Sequence, residues 1–266
     1  MVSNKKYQSS KLSQKKKKTF YIKLILTTLL IIGLLFGISA FSKYSKLQIS
    51  NILVKGNRQI SSDEIESLAR EKIEGNYGRF LLSKSNIFLY PKFSIEKNLF
   101  NRFSSIEEID IDFENLNSIS IEVKEYEPIA LWCGDICYLV NGKGKIFIEE
   151  PLINNNQFIK FYGGIEGDPL RQDYISEKVF NDLMHFSILL RRLDITATSI
   201  TTDDSRNFTV KTKAGANILI ESDDDVLLTF DNLQTVITQD AINKAQFGNI
   251  DYIDLRAGNK VFYKLK

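Results

Sequence analysis

Between Phe20 and Phe41 the chain is an apolar run whose only charged residue is Lys23. No charge at all occurs from Leu24 to Ser42, and a helix of that length rises roughly 29 Å, close to the hydrocarbon thickness of a bilayer. The pattern predicts one membrane-crossing helix over 20–42. After it, the hydrophobic positions fall into short periodic stretches. Leu47–Lys55 reads as a strand with Ile49, Ile52 and Val54 as its apolar members, closed by the turn pair Gly56-Asn57. Ser61 and Glu64 stand at capping-box spacing, and Ile65, Leu68, Ala69 and Ile73 line one face of the helix that follows. A second helix is expected from Ser94, just beyond Pro91, with Ile95, Leu99 and Phe103 on its buried side. Strands are expected at Ile106–Phe113, with Ile109 and Ile111 on one side, and at Ser118–Glu127, where Ile119, Ile121 and Val123 alternate with polar neighbours.

Strand, helix, helix, strand, strand is the order of a mixed layer in which two helices cover one sheet face. In the second half, Val179, Leu183, Phe186 and Leu190 recur at helical intervals within 176–193, and Arg191 and Arg192 suit the helix's carboxyl end. Short strands follow at Ile195–Thr201, Phe208–Thr212 and Asn217–Ile220, separated by polar turns such as Asp203-Asp204-Ser205-Arg206. A further helix is expected from Asp225 to Ala245, then strands Ile250–Leu255 and Lys260–Leu265 joined around Gly258-Asn259. The predicted class is α+β: one amino-terminal transmembrane helix, a β-α-α-β-β unit, and a mixed α/β domain dominated by an antiparallel sheet.

Charge gives the apolar run a direction. Lys5, Lys6, Lys11, Lys15, Lys16, Lys17, Lys18 and Lys23 cluster at the amino-terminal side, and the first acid is Asp63. The positive-inside bias places that end in the cytoplasm. The net charge of +2 hides the asymmetry: without those eight lysines, 33 acids outnumber 27 bases. A mildly acidic body argues against a nucleic-acid partner, whereas lysines beside anionic lipid add membrane affinity. The lysine-rich first twenty residues have too little apolar surface to fold and are expected to be disordered. Gly37, Ser39 and Ala40 offer small residues for a cleavable signal peptide, but the run exceeds the usual 7–15 residues of a signal core, which favours a retained anchor.

The catalytic inventory is thin. His185 is the only histidine, so HExxH and His-rich metal sites are excluded, and no nucleophile elbow or P-loop occurs. Gly163-Gly164 and Gly167 form the nearest glycine cluster, and Asp223-Asp224-Asp225 reads as a helix start in preference to a calcium site. Cys133 and Cys137 flank Gly134-Asp135-Ile136, a spacing open to a disulfide across a tight turn or to two buried thiols. The strand Lys260–Leu265 places Val261, Tyr263 and Leu265 on one face and Phe262 and Lys264 on the other. It is either an ordinary sheet strand or an edge that accepts a partner's strand.

Several motifs carry a resemblance. A single span followed by Ile52-Leu53-Val54-Lys55-Gly56-Asn57 and a helix, the junction Glu125-Tyr126-Glu127-Pro128-Ile129-Ala130-Leu131-Trp132, the hairpin Val140-Asn141-Gly142-Lys143-Gly144-Lys145-Ile146-Phe147, and Tyr252-Ile253-Asp254-Leu255-Arg256 resemble, in order and spacing, the FtsQ/DivIB family of bacterial cell division proteins. The resemblance implies a cytoplasmic basic tail (1–19), the span (20–42), a POTRA domain (47–125) and an FtsQ-type β domain (126–266). It also implies a non-enzymatic scaffold at the division septum, without cofactor, metal or small-molecule substrate, that binds FtsB- and FtsL-like bitopic proteins outside the cytoplasmic membrane. The residues it points to for partner binding are Tyr252, Leu255 and Arg256, beside Val261, Phe262 and Tyr263. Two other classes fit parts of the pattern: a membrane-anchored enzyme acting on the cell envelope, which would need a pair of carboxylates in a pocket, and a POTRA-bearing export component, which would carry repeats absent here. Gly33 and Gly37 stand at the spacing of a helix-packing motif.

Overall fold

The apolar run lies in one long helix, α1 (Ser10–Ser42), in a computed structural model that describes residues 10–78, 81–150, 157–203, 206–222, 225–238 and 244–266. Its segment Lys15–Ser42 is long and apolar enough to cross a membrane, and its most apolar stretch is not buried by protein. Hydroxyls within it are satisfied locally: Thr27 Oγ1 donates to the Lys23 carbonyl (3.0 Å) and Thr28 Oγ1 to the Leu24 carbonyl (2.8 Å), as an apolar surround requires. One expectation is corrected. The lysines from residue 10 onward are helical, because lysine is a good helix former and extending a nucleated helix costs far less than starting one. Lys5 and Lys6 lie outside the described residues.

Two compact units are formed, one running to Arg102 and taking in Glu108–Lys124, the other comprising Phe103–Glu107 and Glu125–Lys266. In the first, β1 (Asn51–Lys55) leads to α2 (Ser62–Ile73), a short hairpin of β2 (Asn76–Tyr77) and β3 (Leu82–Ser83), α3 (Lys92–Arg102), β4 (Ile106–Asn115) and β5 (Ser118–Glu125). The sheet order is β1-β5-β4 with β1 parallel to β5, and Ile52, Ile65, Ala69, Ile95, Leu99, Ile119 and Ile121 fill the core. Gly56 adopts φ +79°, and a Cβ there would meet the Val123 carbonyl oxygen at 2.5 Å, so the turn after β1 requires glycine.

Local details differ from expectation. The first strand begins at Asn51, since Ser45–Leu47 form a 3-10 turn. Ser61 is the N-cap of α2, yet its hydroxyl does not bond the helix, and its carbonyl accepts from Glu64 and Ile65. Phe103 lies beyond the end of α3. The β2–β3 hairpin has strands too short to show alternation.

The second unit is one nine-stranded sheet. Its strands are β6 (Pro128–Cys133), β7 (Cys137–Asn141), β8 (Ile146–Glu150), β9 (Ile159–Tyr162), β10 (Ala197–Thr202), β11 (Asn207–Thr212), β12 (Asn217–Glu221), β13 (Ile250–Ala257) and β14 (Lys260–Leu265). The order is β14-β13-β12-β11-β10-β9-β6-β7-β8. Pairs β6–β9, β9–β10 and β12–β13 are parallel and the others antiparallel. Helices α4 (Glu177–Leu190) and α5 (Val226–Thr238) supply Phe180, Leu183, Phe186, Leu233 and Ile237 to the main core, which meets Phe161, Ile200, Phe208, Val210 and Ile253 from the sheet. A smaller cluster of Leu131, Cys133, Leu139 and Phe147 packs with Tyr126. The expected helix to Ala245 is shorter. It is described over Val226–Thr238, residues 239–243 lie outside the described set, and Lys244–Asn249 form a 3-10 helix.

Candidate partner-binding edge

The last two strands form a hairpin at one end of the large sheet. β13 enters parallel to β12, turns through Gly258 (φ +63°), and β14 returns antiparallel as the terminal strand. Asn232 of α5 donates to the Gly258 carbonyl (2.8 Å) and pins the turn. The register shifts along this pair both fall at extra residues in β13, so β14 itself runs regularly. The Lys266 N–H donates to the Asn249 carbonyl (2.9 Å), which makes Ile250↔Leu265 a non-hydrogen-bonded pair. The backbone N–H and C=O of Leu265 therefore project to the open edge, and by alternation so do those of Tyr263 and Val261.

Side chains sort by the same alternation. Val261 packs against the main core, while Tyr263 (45 % exposed) and Leu265 (55 %) lie on its face of the sheet nearer solvent. Phe262 (55 %) lies on the opposite face beside Asp254, its register partner, and half-buried Tyr252 is aligned with Lys264. Leu255, named by the motif, is buried in the core and supports β13 from behind. Leu265 joins the exposed set. The alternation of the strand already groups it with Val261 and Tyr263, and its exposure follows from its place near the open end of the sheet.

Arg256 is committed within the chain. Its Nε and Nη2 donate to the two carboxylate oxygens of Asp254 (2.8 and 2.7 Å), its N–H donates to Asp254 Oδ1 (3.0 Å), and Nη1 reaches Asn207 (3.3 Å). The Arg256 side-chain bonds hold the Asp254 carboxyl below its ordinary value, against the opposing effect of burial. Lys264 bonds Asp251 at 3.0 Å, and that hydrogen bond raises its pKa.

The other sheet edge differs. The Arg171 N–H donates to the Ile146 carbonyl (2.8 Å), the Ile146 N–H donates to the Gln172 carbonyl (2.9 Å), and Lys145 bridges Asp173 in antiparallel fashion. The segment before α4 thus covers the start of β8. Among the described residues, no strand or loop does the same for β14.

Cys133 and Cys137 face each other as the terminal pair of β6 and β7, joined by a disulfide with Cα atoms 4.1 Å apart. The Gly134 N–H donates to the Ile136 carbonyl (3.0 Å) and closes the turn. Trp132 of the junction motif is buried, its Nε1 donating to the Gly163 carbonyl (2.9 Å). In the hairpin motif, Asn141 Oδ1 accepts the N–H groups of Lys143 and Lys145, and Gly144 takes φ +81°. These motifs serve the fold. His185 is exposed on α4, and no cluster of three metal-ligating side chains occurs among the described residues. Asp223 and Asp224 lie outside them.

Residues 130–256 match the family model for cell division protein FtsQ/DivIB, C-terminal. This carboxyl-terminal part of the chain belongs to the FtsQ/DivIB family. No curated protein matches it. The FtsQ/DivIB match runs from the start of the large sheet through Arg256, so it spans the scaffold that carries the edge and stops just before β14. The chain is accordingly a cell division protein with an apolar helix suited to single-pass membrane anchoring.

Proposed function

We propose that this protein is a bitopic, non-catalytic scaffold of the division machinery. Helix α1 crosses the cytoplasmic membrane with its lysine-rich end inside, the β-α-α-β-β unit is a POTRA domain (47–125), and the β domain (126–266) receives an FtsB- or FtsL-like bitopic partner outside, at the septum. The observation that carries this reading is the β14 edge, which no other described strand or loop pairs with and where outward backbone groups at Val261, Tyr263 and Leu265 accompany exposed Phe262, Tyr263 and Leu265 side chains. Such an edge receives an added strand: main-chain bonds supply affinity and alternate side chains supply selection. Tyr252 extends the surface on the Phe262 face, and the Asp254–Arg256 pair stiffens β13 beneath it.

Two measurements test the proposal together. A fluorescent fusion of the full chain is expected to form a midcell band, and co-purification from detergent is expected to recover small bitopic division proteins. Diffuse envelope fluorescence, or recovery undiminished after β14 is blocked, would reject it.

A further inference from the structure

The carboxyl end of α1 is built into the first unit. Ser42 is buried; its hydroxyl accepts the Ser83 N–H (3.2 Å), and its carbonyl accepts the side-chain amides of Gln48 (2.6 Å) and Asn86 (2.9 Å). The Ser83 hydroxyl donates to Gln48 Oε1 (2.7 Å), and Ser85 bonds the same oxygen. The network continues through backbone bonds from Ile49 to Ser85 and from Ile87 to Leu47. A helix that merely tethered a domain would end in a loose linker; here several bonds fix the orientation of the unit on the helix end.

Apolar side chains surround that end without protein cover. Tyr44, Leu81 and Phe88 are each more than half exposed, and all lie within two residues of a group in the network. Leu116, equally exposed, sits on the β4–β5 turn, where the Asn117 carbonyl takes the Ser50 N–H (2.9 Å). Lys46 and Lys84 stand among them, and neither 41–50 nor 81–93 contains an acid, although the rest of this unit is rich in them. Aromatic and aliphatic side chains mixed with lysines, next to the end of a membrane helix, match the chemistry of the headgroup layer.

We infer that this face docks on the bilayer itself, with Tyr44, Leu81, Phe88 and Leu116 seated among lipid headgroups and Lys46 and Lys84 on lipid phosphates. The inference rests on α1 being a membrane span. It adds that the first unit lies on the membrane in a fixed pose.

The full chain, reconstituted in phospholipid vesicles without reductant, carries one environment-sensitive fluorophore at a time on L81C, F88C, L35C or D63C, the native cysteines being bonded to each other. Leu35 reports the span. Asp63, at the start of α2, lies beyond the far end of β1, about 17 Å from Ser50. Quenching uses spin-labelled lipids carrying the label near the headgroup or deep in the acyl chain. The expected result is deep quenching at 35 and, at 81 and 88, at least about twofold more shallow quenching than at 63. Labels at 81 and 88 that match 63 while 35 is quenched overturn the docking and leave the span standing. Labels shielded from water yet unquenched by lipid assign the face to a second protein copy and also overturn it. Failure of quenching at 35 removes the span and the inference with it.

Discussion

Replacing Tyr263 by proline, read against Tyr263→Ala, separates backbone pairing at β14 from side-chain contact. The Tyr263 N–H points to the open edge, so the substitution removes no bond to β13, and proline is tolerated in edge strands when its missing donor would face solvent. A partner strand spanning Val261, Tyr263 and Leu265 meets three outward N–H and three outward C=O groups. Each bond contributes roughly 0.5–1.5 kcal/mol net, and a partner carbonyl left facing the proline ring costs about 1–3 kcal/mol. At about 1.4 kcal/mol per decade, Tyr263→Pro weakens binding roughly 5- to 150-fold. Because the variant also loses the exposed aromatic ring, Tyr263→Ala is the baseline, and the difference between the two isolates the donor.

The assay is titration of the detergent-solubilised full chain against a co-purified partner, with thermal melts of each variant alongside. Phe262→Pro is the internal control, since its N–H points inward and its loss should lower the melting temperature where Tyr263→Pro does not. Lys264→Gln removes an exposed pair with Asp251 but no backbone group of the edge, so it should change affinity less than Tyr263→Pro. Equal affinities for Tyr263→Pro and Tyr263→Ala, with melting unchanged, would refute strand addition at this edge.

Other expectations concern stability. Tyr174 is buried against Thr202 and donates to the Tyr162 carbonyl (3.1 Å), and burial pushes its phenol up to about 12 from 10.0. Above pH 10 the unfolded chain releases this proton while the folded one retains it, so stability should fall from pH 10 to 12 by up to about 2–3 kcal/mol, and Tyr174→Phe should flatten that limb in denaturant titrations. Asp254 runs oppositely: its lowered pKa stabilises the fold above the ordinary value of 3.8, and that contribution is lost as pH falls through the folded value. Acid melts of Asp254→Asn should lack this component. Removing the Cys133–Cys137 bridge with paired serines opens a very small loop and should cost about 2 kcal/mol on the chain-entropy estimate, read from urea midpoints. Gly56→Ala should destabilise the first unit by about 2 kcal/mol or more, because the added methyl meets the Val123 carbonyl in a left-handed turn; an unchanged melt would contradict that geometry.

Periodicity announced the elements that bury one face. Ile65, Ala69 and Ile73 on α2, Val179, Leu183 and Phe186 on α4, and the alternation through Ile119, Ile121 and Val123 all repeat a core-facing pattern that the fold uses directly. Elements held by pairing with distant strands were harder to read. β9 has four residues, Ile159–Tyr162, lying between parallel neighbours from far apart in the chain, and such a strand shows no local period. The motif Tyr252-Ile253-Asp254-Leu255-Arg256 was visible as a signature, but its division of labour was not. Leu255 enters the core and Arg256 closes on Asp254, because β13 carries bulges at both ends that shift which residues face out.

The two ends of the large sheet show why the exposed hairpin is more than a consequence of sheet size. A nine-stranded open sheet has two edges, and an unprotected edge invites indiscriminate pairing. This chain spends part of the segment before α4 on β8, where Arg171 and Gln172 take both backbone groups of Ile146. Among the described residues the same device is missing at β14, although its hairpin is anchored by Asn232 and by Lys266, whose Nζ donates to the Gly248 carbonyl (2.8 Å). Lys260 and Lys264 discourage self-association there, since like charges would meet when two copies pair. A partner strand carrying acids at the matching positions would turn that repulsion into selection.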